Sequence, residues 1–144
     1  MEDFVPFDLA KKLKEKGFTC KYPFAMYNEL GSYCPLTTSS DYVTCESGYK
    51  YRCYYDYNDF DENDFIAPTI SQVLKWLREE KKIHFEFVAA AYGYNVIISQ
   101  TPEAGGTDYY FTHMNDDGPN DGGAWDRYED AALYCIEYVL DNLI

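Results

Sequence analysis

Two acidic segments of the sequence contain side chains that could coordinate a cation. Residues 56–64 hold five acids and no base. An EF-hand loop starting at Asp59 would place Ile70 where the bidentate glutamate belongs, and one starting at Asp117 would place Tyr128 there. Neither segment therefore fits the calcium-binding pattern. We interpret both as solvated loops, with an irregular cation site as the alternative, and we assign no metal ligand.

The cysteines and histidines form no recognisable metal or catalytic motif. Neither His84 nor His113 lies at zinc-ligand spacing from a cysteine, and no C-x-x-C occurs. A thiol nucleophile with a histidine base is an alternative that has no local signature here. Because the N-terminus has no export signal, we expect all five cysteines to be thiols. The five are Cys20, Cys34, Cys45, Cys53 and Cys135.

The motifs of common nucleotide-binding and hydrolytic sites do not occur in the sequence. It contains neither G-x-S-x-G nor H-E-x-x-H. Gly105-Gly106 lies between two predicted strands, whereas a phosphate loop joins a strand to a helix. We therefore predict no catalytic residue and no cofactor.

Tyrosine is the most unusual feature of the composition, with 16 residues. Within residues 49–57 tyrosines recur with period two, which is typical of a strand. Tyrosine combines a large contact area with a polar tip, so this strand and an acidic loop are candidates for a partner surface. The alternative is that the tyrosines cover the sheet and pack under the helices. The predicted partner surface consists of Tyr51, Tyr54, Tyr55, Asp116 and Asp117.

The negative charge limits the classes of partner. The formal net charge is −13, and residues 83–144 hold 11 acids and one base, Arg127, for a net charge of −10. Such a surface repels phosphate backbones, so we expect no direct nucleic-acid binding. Solubility is the simplest reason for the charge. A surface shaped for a basic protein partner is the more specific alternative.

No segment has the pattern of a signal peptide or of a membrane span. The acidic N-terminus leads into a lysine-rich segment and has no apolar core. The longest uncharged apolar run, Phe87 to Tyr94, is far shorter than the roughly 20 residues that cross a bilayer. We therefore expect a cytoplasmic location and no membrane partner.

Amphipathic patterns predict three helices, over residues 6–16, 69–82 and 126–144. Capping pairs mark two of the starts, Thr69 with Gln72 and Asp126 with Glu129. Trp76 is expected at the edge of the apolar stripe of its helix. The stripes are Ile70, Val73, Leu74 and Leu77 in the second helix, and Ala132, Cys135, Ile136, Val139 and Leu143 in the third.

Alternating patterns predict the strands. They are expected at residues 24–27, in a hairpin within 41–57 and in three strands within 83–113, with a loop over 31–40. The order is then α-β-ββ-α-β-β-β-α, and the short links favour an antiparallel meander. The predicted fold class is α+β, a single domain over residues 1–144 whose helices pack mainly on one face of an antiparallel sheet.

Three segments resemble a known group of proteins. They are F-D-L-A-K-K-L-K-E-K-G-F at 7–18, A-P-T-I-S-Q-V-L-K-W-L-R-E-E-K-K-I-H at 67–84, and Y-E-D-A-A-L-Y-C-I-E-Y-V-L-D-N-L-I at 128–144. The group consists of small uncharacterised proteins from Bacteroides-type gut bacteria and their phages. The resemblance implies a mobile-element origin and a cytoplasmic setting. It transfers no functional residue, because the group has no assigned activity.

The sequence favours a non-enzymatic accessory protein that binds another protein. The grounds are the absence of catalytic motifs, the acidic charge and the tyrosine-rich strand. One alternative is an inhibitor that mimics nucleic acid and occupies a host DNA-binding protein, which would require carboxylates in rows with phosphate-like spacing. A second alternative is a small enzyme with a Cys/His or carboxylate site, which would require a pocket that gathers those side chains.

Overall fold

Helices and short antiparallel strands alternate along the chain. The computed structural model describes residues 3–20, 23–35, 42–44, 50–52, 62–100, 111–115 and 118–144. Its elements are α1 (Phe7–Glu15), β1 (Ala25–Tyr27), β2 (Tyr33–Pro35), β3 (Tyr42–Thr44), β4 (Lys50–Arg52), β5 (Phe65–Ile66), α2 (Ile70–Glu80), β6 (Ile83–Ala90), β7 (Gly93–Gln100), β8 (Phe111–Asn115) and α3 (Tyr128–Asn142). The predicted α+β class is confirmed. The chain divides into two compact units, Met1–Thr69 and Ile70–Ile144, and the single domain stays a prediction.

In the first unit, α1 packs against a three-stranded antiparallel sheet of order β2-β1-β5. Aromatic rings fill the space between them. Phe7 meets Tyr27 and Phe65 edge to face, with ring centroids 5.5 and 5.4 Å apart. The hydroxyl of Tyr27 donates to the carbonyl of Val5 at 2.6 Å. The buried phenol is thus hydrogen-bonded, which avoids the penalty of an unsatisfied polar group.

Helix α1 ends at Glu15, two residues before a glycine in the left-handed conformation. Gly17 has φ +82°, and the amide of Phe18 donates to the carbonyl of Leu13 at 3.0 Å, which together form a Schellman motif. On the same helix the ammonium of Lys14 donates to the carbonyl of Asp64 at 3.0 Å and lies 4.7 Å from the ring centroid of Phe65. Lys14 therefore ties α1 to the β5 segment.

Strand β2 lies inside the segment predicted to be a loop, so that prediction is wrong at Tyr33–Pro35. The side-chain oxygen of Asn28 accepts hydrogen bonds from the amides of Leu30 and Ser32, both at 2.9 Å, and this turns the chain back onto β1. Pro35 is tolerated because β2 is an edge strand that it terminates. The glycine, serine and proline residues of this segment are typical of a loop, although it contains a short edge strand.

The two strands of the hairpin predicted within residues 41–57 are present in the described residues. Strand β3 pairs antiparallel with β4, and Val43 is the partner of Tyr51. Ser47-Gly48, a dipeptide that predicts the turn of this hairpin, lies outside the described residues.

The second unit is an antiparallel meander, β6-β7-β8, with α2 against β6, α3 against β7, and the two helices against each other. Both helices therefore lie on one face of the sheet, as predicted. The central strand supplies Val96 and Ile98, which are fully buried. The helices supply Leu77, Ile136 and Val139, which are also fully buried. This apolar layer is the core of the unit.

Three details of these helices differ from the predictions. Trp76 is buried and Leu74 is only half-buried, because the buried arc of α2 is rotated toward the larger side chain. Helix α3 starts at Tyr128 with Arg127 as its N-cap and without a side-chain capping hydrogen bond, so the predicted cap at Asp126 is wrong. Leu140 is buried in place of the half-buried Leu143, which lies just beyond the last turn.

Candidate protein-binding surface

The partner surface predicted from the sequence lies mostly outside the described residues. Tyr51 belongs to β4, where its backbone pairs with that of Val43. The other four members, Tyr54, Tyr55, Asp116 and Asp117, lie outside the described residues. This surface stays a prediction.

The described histidines and cysteines lie on several different elements. His84 is half-buried on β6 and pairs with Ser99, whereas His113 on β8 pairs with Ile98. Cys135 is fully buried on α3, and it and Cys20 are thiols. Within the described ranges, no three His, Cys, Asp or Glu side chains gather closely enough to hold a metal ion.

Aromatic residues meet where the first turn of α3 reaches the β6–β7 hairpin. The ring of Tyr128 lies 4.2 Å from that of Phe87 and stands almost perpendicular to that of Tyr94, with centroids 6.3 Å apart. Phe87 and Tyr94 are half-buried, whereas Tyr128 keeps 37% of its surface exposed. Tyr92, at the turn of the same hairpin, is 60% exposed. We name Phe87, Tyr92, Tyr94 and Tyr128 the aromatic patch.

Hydrogen bonds hold this patch in place. Tyr94 and Trp125 exchange both backbone hydrogen bonds, at 2.7 and 2.9 Å, so the segment before α3 is fixed to β7. The side-chain amide of Asn120 donates to the carbonyl of Tyr92 at 2.8 Å and to the carboxylate of Asp126 at 2.6 Å. One amide therefore joins the hairpin turn to the start of α3.

Carboxylates border the patch. The first turn of α3 contains Glu129 and Asp130, and Asp126 lies just before it. The helix dipole also stabilises negative charge at this end of the helix. Arg127 pairs with Glu129 at 3.6 Å and with Asp130 at 3.9 Å. These pairs are solvent-exposed and contribute little to stability. The three acids still exceed the single base, so the border is negatively charged.

The chemistry of Tyr128 fits recognition. Burial, and to a lesser degree the carboxylate of Glu129, raise the pKa of Tyr128 above its ordinary value. The phenol therefore stays protonated at neutral pH and can donate a hydrogen bond. Aromatic faces next to carboxylates attract lysine and arginine side chains. The arrangement is thus suited to binding a basic segment.

Sequence reasoning overlooked this patch. Its members are separated by up to 41 positions along the chain, from Phe87 to Tyr128, and no local pattern joins them. The one local signal of the patch in the sequence is Tyr92-Gly93. This dipeptide places an aromatic residue at a turn between two well-patterned strands.

We expect Asn120→Ala to reduce the free energy of unfolding by about 0.5–1.5 kcal/mol, because it removes a solvent-exposed hydrogen bond to the carbonyl of Tyr92. Asn142→Ala is the matched control, since that amide donates to a carbonyl within its own helix end, at Tyr138. Urea titration of both variants measures the difference. Equal losses would show that Asn120 does not fix the hairpin.

No helix in the described part of the chain is long and apolar enough to cross a membrane. Comparisons with protein-family models, with curated proteins and with solved structures found no match for this chain.

Proposed function

We propose that this chain is a non-enzymatic binding protein whose aromatic patch receives a basic segment of another protein. The observation that carries the proposal is the position of Tyr128, which is 37% exposed while its ring rests on Phe87 and Tyr94. A large side chain that is already held in place loses little conformational entropy on binding. Tyrosine in such a setting is a frequent centre of interface energy.

The charge of the surrounding residues supports a basic partner. Asp126 and Asp130 are exposed beside Tyr128, and Arg127 balances only part of their charge. Acids at the border of an interface steer an oppositely charged partner and exclude acidic ones. The net charge of −10 over residues 83–144 acts in the same direction.

Nucleic-acid mimicry has less support. The exposed acids along α3 are Asp130, Glu137 and Asp141, and the helical rise of about 1.5 Å per residue separates them by roughly 10 and 6 Å along the axis. DNA has a phosphate about every 3.4 Å along each strand. One sparse row of carboxylates matches this spacing poorly.

The test is affinity capture with the full chain as bait in an extract of a Bacteroides-type gut bacterium, a choice that follows from the sequence resemblance. We expect Tyr128→Ala to reduce retention of the captured partner at least tenfold, since central interface aromatics contribute about 2 kcal/mol or more. Tyr128→Phe should retain it, because the ring supplies most of the contact. Asp130→Asn should mainly reduce the sensitivity of binding to salt.

Two further tyrosines serve as controls. Tyr138 lies ten residues farther along α3, about 15 Å along its axis, so Tyr138→Ala should leave retention unchanged. Tyr51→Ala tests the surface predicted from the sequence. If Tyr51→Ala abolished retention of the partner and Tyr128→Ala did not, the binding site would lie on β4. That result would reject the aromatic patch.

A further inference from the structure

In the described part of the chain, strand β6 lies at the edge of its sheet, and we call the side away from β7 its open side. The sheet order is β6-β7-β8, and within the described residues β7 is the only strand beside β6. The strand is eight residues long and contains neither proline nor glycine. An edge of this length presents a row of backbone donors and acceptors to any strand that can pair with it.

The backbone groups on the open side can be identified. Tyr94 directs its amide and carbonyl to Trp125, which is away from β6, so the Ala89–Tyr94 pair is not hydrogen-bonded. Hydrogen-bonded and non-hydrogen-bonded pairs alternate along an antiparallel ladder. The residues of β6 that face the open edge with both backbone groups are therefore Ile83, Phe85, Phe87 and Ala89.

Two aromatic side chains remain incompletely covered along this edge. Phe85 and Phe87 are half-buried, although their β7 partners, Ile98 and Val96, are fully buried. The two rings are nearly parallel, with an interplanar angle of 18° and centroids 6.4 Å apart. An added strand would cover both rings and satisfy the open backbone groups.

We propose that β6 pairs antiparallel with β6 of a second copy of this chain, with the two-fold axis at Phe85. Phe85 then faces Phe85 of the second copy, and Ile83 faces Phe87. These are residues whose backbone groups point to the open edge, so the hydrogen bonds of the new ladder can form. On the other face of the sheet, His84 lies opposite Glu86 of the second copy, and this pair occurs twice.

Side-chain complementarity selects this register. An axis at Glu86 would bring two carboxylates together, and one at His84 would bring two imidazoles together. An axis at Phe87 would place Glu86 opposite Val88. With the axis at Phe85, an imidazole N–H can donate to a carboxylate at both positions, and no two side chains of like charge lie opposite each other.

The test is sedimentation equilibrium of the full chain over a concentration series. It is carried out at about 0.15 M salt, where a Debye length of about 8 Å screens most of the repulsion between acidic copies. We expect a dimer whose Kd rises at least tenfold in His84→Glu and in Glu86→Lys. The double variant His84→Glu/Glu86→Lys should recover the wild-type Kd, because it restores both opposite pairs.

Glu79→Lys is the matched control, since it makes the same charge change at an exposed residue of α2. Glu86 is exposed, so Glu86→Lys should fold normally even if His84→Glu does not. A wild-type chain that stays monomeric throughout would overturn the proposal. The proposal would also be overturned if the dimer Kd of the double variant were no lower than that of the single variants. The same holds if Glu79→Lys raised the Kd as much as Glu86→Lys does. The dimer shares Phe87 with the aromatic patch, but its test measures self-association alone and does not depend on a captured partner.

Discussion

Leu77→Ala is expected to reduce the free energy of unfolding by about 2–5 kcal/mol, because the side chain is fully buried between α2 and the sheet and its removal leaves a cavity. Val139→Ala, equally buried on α3, should cost less because it removes two carbon atoms where Leu77→Ala removes three. At about 2–4 °C per kcal/mol for a chain of this size, Leu77→Ala should lower the Tm by roughly 4–20 °C.

Leu30→Ala provides the control for this experiment. It makes the same chemical change at a leucine that is 73% exposed, so its unfolding free energy should stay close to that of the wild type. Thermal and urea denaturation of the three variants measure the effect. Neutral results at both Leu77 and Val139 would reject the core described for the second unit.

Gly93→Ala is the second substitution with a large expected effect. Gly93 has φ +125°, and a Cβ atom there would lie 2.2 Å from the carbonyl oxygen of Trp125. Backbone atoms on both sides prevent an easy adjustment. We expect a loss of about 2–6 kcal/mol, from backbone strain of about 1–3 kcal/mol and overpacking of about 1–3 kcal/mol.

Gly122→Ala separates the two contributions. Gly122 also has a positive φ, +74°, but no described atom lies within 4 Å of the added Cβ. Its cost should therefore be limited to about 1–2 kcal/mol for the left-handed backbone. Equal losses for the two variants in urea denaturation would mean that the contact between Gly93 and Trp125 does not constrain the hairpin.

The regular elements of the second unit could be predicted because their signals are local. Ile70, Val73 and Leu77 repeat with the period of a helix, and Val96 and Ile98 with that of a strand. The burial of all five residues confirms these patterns. Periodicity is sufficient wherever one face of an element packs on a single layer.

The features that were missed depend on contacts between distant segments. Asp126 looked like a helix cap, but its carboxylate accepts from Asn120, and Arg127 occupies the capping position. Trp76 was placed at the edge of a stripe, whereas its indole is buried. At Asp126 a hydrogen bond from another segment outweighed a local capping preference, which the pattern of a single segment does not contain.

The candidate site illustrates the same limit. The alternation of tyrosines is most regular around Tyr51 on β4, and this pattern predicted a partner surface there. The aromatic patch instead joins the β6–β7 hairpin to α3 through Asn120, whose amide reaches a carbonyl 28 positions away in the chain. Only the folded arrangement brings Tyr128 onto Phe87 and places carboxylates beside it.

The most direct test of the proposed partner site is photo-crosslinking from within the patch. Benzoylphenylalanine would replace Tyr92, which is 60% exposed, and in a second protein Tyr138, on the same unit but outside the patch. Both would be irradiated in the bacterial extract and the products analysed by mass spectrometry. The proposal predicts a product with a basic protein from position 92, lost with Tyr128→Ala, and no such product from position 138. The same product from both positions, or from position 138 alone, would contradict it.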